Sequence, residues 1–114
     1  MKKFAAALAL GVALTAGAAF ADTLTNGYGN TFVVTSANGE ARYHFDEDGS
    51  FHVTFADGNT VSGTYAVEGD QLCLTPEGGE AACAAYVGDK NVGDTWTQAA
   101  ADGGEISVTL EAGR

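Results

Sequence analysis

The stretch Tyr43-His44-Phe45-Asp46-Glu47-Asp48-Gly49-Ser50-Phe51-His52-Val53 decides how this chain folds. On either side of its acidic centre, bulky apolar residues alternate with polar ones, the period of a half-buried β-strand. Glu47-Asp48-Gly49 reads as a three-residue hairpin loop whose glycine takes the left-handed position. Folding there sets Phe45 against Phe51 and Tyr43 against Val53, with His44 and His52 paired on the opposite face. The spacing outward supports the same face. Asn38-Gly39 as a two-residue turn places Val34 opposite Tyr43 and Phe32 opposite Phe45. Asp57-Gly58-Asn59 sets Phe55 against Val61 and Phe51 against Tyr65, and Gly69-Asp70 sets Val67 against Leu72 and Tyr65 against Leu74. Opposed residues must share a face, so four independent turns converge on one apolar side.

The second half continues the pattern. A loop around Pro76-Glu77-Gly78-Gly79-Glu80 places Leu74 opposite Ala82 and Leu72 opposite Ala84, and the loop at 89–93 brings Tyr86 against Trp96. A turn at Asp102-Gly103-Gly104 pairs Ala100 with Ile106 and Trp96 with Leu110. The expected fold is all-β: an eight-stranded antiparallel meander, closed or nearly closed into a small barrel, because closure removes exposed edges. Residues 31–114 form that domain. Residues 22–30 have no period and read as a flexible lead-in, and no helix is expected after Ala21.

Residues 1–21 carry a basic start at Lys2 and Lys3, a short apolar run and the Ala19-Phe20-Ala21 processing pattern of a secretory signal. The apolar run is shorter than the roughly 20 residues a membrane helix needs. Cleavage near Ala21 yields a mature, periplasmic or secreted chain of 93 residues without membrane insertion. It carries 3 basic and 15 acidic side chains, a formal charge of −12. So acidic a surface repels phosphate backbones, which sets nucleic acid aside as a partner. A domain this small has a modest core and gains from a covalent tie. The register brings Cys73 directly opposite Cys83 on the outer face, within bridging reach. A closed loop of about 11 residues is worth roughly 2.5–3 kcal/mol. The spacing is not that of a redox C-x-x-C pair.

Candidate chemistry is sparse. His44, His52 and Asp46 on the outer face begin a zinc or copper site, which ordinarily requires three or four ligands. Asp46-Glu47-Asp48-Gly49 is not a calcium loop, since matching its glycine to an EF-hand puts His44 first and Phe55 last, where acids are required. No G-x-S-x-G occurs, and a histidine base at His52 beside Ser62 or Ser50 has no buried acid behind it. No catalytic residue and no cofactor are expected. The inner face is lopsided, with rings on the early strands and Ala82, Ala84 and Ala100 on the later ones. Large facing small fills a narrow barrel; the alternative is a cavity for a small apolar ligand contacted by Phe51, Tyr65 and Trp96.

Residues 63–74 read Gly-Thr-Tyr-Ala-Val-Glu-Gly-Asp-Gln-Leu-Cys-Leu. This resembles a motif of small exported bacterial β-proteins, including the periplasmic inhibitors of secreted metalloproteases. The likeness spans these 12 residues together with length and export. It implies an eight-stranded barrel with one disulfide, and an N-terminal segment that enters a protease cleft. That segment maps onto residues 22–30, with Asp22, Thr23, Leu24 and Tyr28 as partner-binding candidates. In that family the motif cysteine joins an earlier strand, whereas Cys83 lies downstream, and Tyr65 stands where a tryptophan is usual. The function expected is therefore a monomeric, non-enzymatic binding protein. Its partner is a protease met through the lead-in, a small apolar ligand inside the barrel, or a metal at the histidine pair.

Overall fold

The computed structural model describes residues 22–114, so the export-signal reading of residues 1–21 lies outside the described residues. A one-turn helix, α1 (Thr23–Gly27), precedes eight strands. These are β1 (Thr31–Ser36), β2 (Gly39–Phe45), β3 (Ser50–Phe55), β4 (Thr60–Glu68), β5 (Gln71–Pro76), β6 (Ala82–Ala85), β7 (Thr95–Ala99) and β8 (Glu105–Glu111). All pairings are antiparallel, in the order β6-β5-β4-β3-β2-β1-β8-β7. The sheet is a meander curled into a nearly closed barrel, with β8 returning to pair with β1 and a seam between β6 and β7. The expected pairing of Tyr86 with Trp96 is therefore not made. The inward-facing Gln98 bridges the seam instead: its amide accepts from Trp96 Nε1 at 2.6 Å and donates to the Ala85 carbonyl at 2.8 Å. Among the described residues no helix is long and apolar enough to cross a membrane.

The alternation puts every ring on the expected side. Phe45 faces Phe51, Tyr43 faces Val53, His44 faces His52, Tyr65 faces Leu74 and Leu72 faces Ala84. Three turns differ from expectation by two residues of register, giving Phe32 opposite Tyr43, Phe51 opposite Gly63 and Trp96 opposite Val108. The cause is the position of the glycine. In each Asp-Gly loop the glycine closes the loop in the left-handed conformation, as Gly49 does at φ 94°. The second and last loops are therefore Ala56-Asp57-Gly58 and Ala101-Asp102-Gly103, flanked by Phe55 N to Asn59 O and Ala100 N to Gly104 O bonds. At the first turn Asn38 does not take a positive φ, so the reversal occurs at Ala37-Asn38 and Gly39 already belongs to β2. An even shift leaves each side chain on its face, so the barrel survives the errors.

Cys73 and Cys83 are directly opposed and form a disulfide between β5 and β6. Residues 22–30 are not the flexible lead-in expected. Asp22 caps α1 by accepting from Thr25 N at 3.0 Å, and Thr23, Leu24 and Gly27 are buried against the barrel end. That end holds a cluster of rings. Phe45 meets Phe32 edge-on at 5.4 Å and Tyr65 edge-on at 5.1 Å, while Phe51 lies tilted at 6.4 Å. Leu24, Val53, Val108 and Leu110 complete this core.

Gly63 is the tightest point in the wall. A Cβ there would collide with the Thr75 carbonyl oxygen and sit 2.7 Å from Pro76 Cα and 2.9 Å from the Phe51 ring. Two of these atoms are backbone, which cannot swing aside, so the end of β5 lies this close to β4 only because the side chain is missing. Gly63→Ala is expected to destabilise by about 3 kcal/mol in urea denaturation. Thr64→Ala on the exposed neighbour should cost below about 1 kcal/mol, and equal midpoints would show that the wall relaxes freely at Gly63.

Candidate ligand cavity

Because the rings gather at the helix-capped end, the remainder of the barrel is hollow. A cavity of about 780 Å³ runs from Leu24, Phe32 and Phe45 at its floor to the loops at the other end. The expectation that large residues would fill the space opposite small ones is thus corrected. Edge-to-face pairing draws the rings toward one another, and Ala82, Ala84 and Ala100 face open space. Val34, Tyr43, Leu72, Leu74, Trp96 and Ile106 point inward yet stay half-buried, as side chains facing a void must. Odd-numbered strands all run toward the same end, so the β1–β2, β3–β4 and β7–β8 loops surround the mouth together. The exposed residues Asn38, Phe55, Ala56 and Ala101 line it there.

Of the three expected interior contacts, Trp96 lines the cavity. Phe51 belongs to the packed core and is 2% exposed. Tyr65 is committed elsewhere: its hydroxyl donates to the Asp46 carbonyl at 2.7 Å and accepts from Tyr28 at 3.0 Å. Burial pushes that phenol well above its ordinary pKa. Burial also raises Tyr43, which faces the cavity and so stays neutral there. Alternation assigns a face but not a height along the barrel axis, so the sequence could not separate floor residues from lining residues.

The four partner-binding candidates are turned inward or tied down. Asp22 accepts from the Tyr86 hydroxyl at 3.0 Å, and that hydroxyl accepts from Leu24 N at 3.2 Å. Burial, reinforced by the bond to Asp22, pushes Tyr86 up to about 12. Thr23 Oγ1 donates to the Val87 carbonyl and accepts from Lys90 N at 2.9 Å. Leu24 forms part of the cavity floor and Tyr28 holds Tyr65. Sequence reasoning passed over α1 because five residues show no period; Asp22 as an N-cap was the available signal.

The histidine pair sits outside the barrel, as expected, but is engaged. Thr31 gives its only hydroxyl proton to the Gly113 carbonyl at 2.7 Å, so Thr31 Oγ1 can only accept from His44 Nε2 at 3.1 Å. Asp46, the expected third ligand, receives Arg114 Nη1 at 2.9 Å. Among the described residues no three ligand-type side chains converge to hold a metal ion. His52 Nδ1 lies 2.8 Å from Ser62 Oγ, and its Nε2 lies 3.6 Å from Asp46 Oδ2. Among the described residues no buried acid stands behind His52, as the sequence implied: the nearest carboxylate, Asp46, has a side chain 37% exposed. Its contact is longer than a hydrogen bond and stands on an open strand surface. Ser62 lies between β3 and β5, where neighbouring amides serve the ladders rather than an oxyanion.

Burial, followed by the Arg114 guanidinium, holds His44 below the ordinary imidazole value of 6.5 despite Asp46. The unfolded chain then binds more protons than the native one just below that value. Stability from this group is complete above about pH 6.5 and declines as pH falls toward the lowered native value. The melting temperature of His44→Gln should therefore fall less between about pH 7 and 5 than that of the parent; parallel curves would detach His44 from acid sensitivity. No protein-family profile, curated protein or solved structure matches this chain.

Proposed function

We propose that this protein is an exported, non-enzymatic carrier that holds a small apolar molecule inside its barrel. The observation that carries the reading is the cavity of about 780 Å³, mostly apolar along its walls, floored by α1 and open at one end. Its size lies within the range of about 300–1,000 Å³ typical of small-molecule sites. Burying each methylene of a ligand contributes about 0.8 kcal/mol, so even a short alkyl chain gains usable affinity there. The protease-inhibitor reading has less support, because it needs residues 22–30 free to enter a cleft, and Thr23, Leu24 and Gly27 are buried.

Trp96 is the only tryptophan and lines the chamber, so its emission reports occupancy. Titration with uncharged 1-decanol is expected to change that emission saturably. Ala84→Phe projects a ring into the chamber and should weaken decanol binding at least about tenfold, without lowering the melting temperature. Absence of a saturable response, or an Ala84→Phe variant that binds as well as the parent, would remove the carrier reading.

A further inference from the structure

The mouth and the walls differ in charge. Four acidic residues, Glu40, Asp57, Asp102 and Glu105, surround the opening and all four are exposed. Glu40 and Glu105 occupy outward-facing strand positions at the rim, while Asp57 and Asp102 accept from the Asn59 and Gly104 amides of their own loops. Among the described residues the lining contains no lysine, arginine or histidine. The three basic side chains of residues 22–114 lie elsewhere. Arg42 points outward from β2 and pairs with Glu111 at 3.5 Å. Arg114 is bound to Asp46 and to the Phe45 carbonyl behind the floor. Lys90 is tethered through its backbone to Thr23 of α1, with its ammonium 5.7 Å from the Trp96 ring centroid.

Resting on the carrier reading, we propose that the ligand is a cationic amphiphile: an apolar body in the chamber and one ammonium-type head at the acidic mouth. The chamber cannot take the head itself, because burying an unpaired charge among alkyl and aromatic groups is costly. The head therefore stays at the solvent end, where the field of the four carboxylates favours a cation and opposes an anion. A fatty-acid carboxylate meets no cation among the described residues that line the mouth, walls or floor. Both asymmetries select the same orientation, tail first toward Leu24 and Phe32.

Three probes of equal chain length separate this inference from the reading beneath it. Decyltrimethylammonium, 1-decanol and decanoate are titrated into the mature protein below their micellar concentrations, following Trp96. At low ionic strength the ammonium probe should bind about tenfold more tightly than the alcohol, and decanoate more weakly than either. The preference should shrink on adding about 0.5 M salt. It should vanish in the Glu40→Gln, Asp57→Asn, Asp102→Asn, Glu105→Gln variant, whose decanol affinity stays at the parent value. Equal binding of ammonium and alcohol, or tighter binding of decanoate, overturns the charge preference and leaves the carrier reading standing. If none of the three binds, the carrier reading itself fails.

Discussion

The attraction of aromatic rings for one another's edges organises this molecule. Phe45 stands at the centre, with Phe32 and Tyr65 presenting edges to it and Phe51 tilted alongside. Such pairs contribute about 0.5–1.5 kcal/mol beyond the area they bury. A barrel whose bulky residues were spread along its axis would be solid. Here Phe32, Phe45, Phe51 and Tyr65 are drawn to one end, where α1 and the segment after β6 cover them. The alanines of β6 and the turn after β7 are left opposite nothing, and the chamber is the geometric remainder of that packing.

How much of this was readable in advance follows from what a two-residue period encodes. It states which side a residue faces, and on that the sequence is reliable: Phe45 with Phe51, Tyr65 with Leu74 and Cys73 with Cys83 all meet as their spacing requires. Register depends on which loop residue takes the left-handed conformation. Glycine resolves that at Gly49 and equally at Gly58 and Gly103, once it is placed last in its loop. Height along the axis is not encoded in alternation, so Phe51 and Trp96 look equivalent in the sequence although one is packed and the other borders open space. The helix escaped for a different reason. One turn is too brief for periodicity, and its burial depends on distant partners such as Val87 and Tyr86.

The same contacts bear on function. A segment ahead of a barrel can be a probe or a plug. Here Thr23 holds the backbone of residues 87 and 90, Tyr86 gathers Asp22 and Leu24, and the side chain of Asn26 reaches the Lys90 carbonyl at 2.8 Å. These bonds close one end and leave the other open, giving the interior a direction. The outer face, by contrast, spends its histidines and Asp46 on local partners, Thr31, Ser62 and Arg114 among them.

The bridge between Cys73 and Cys83 takes on a particular meaning in this light. β6 is four residues long, borders the seam, and touches the sheet through a single ladder to β5. Its middle is where the sulfurs join. The alanine wall is therefore the part of the molecule that leans most on an oxidising milieu, whereas the ring-packed floor is secured without sulfur chemistry. Thiol reductants would loosen the container before its base, making vessel integrity a readout of the surroundings.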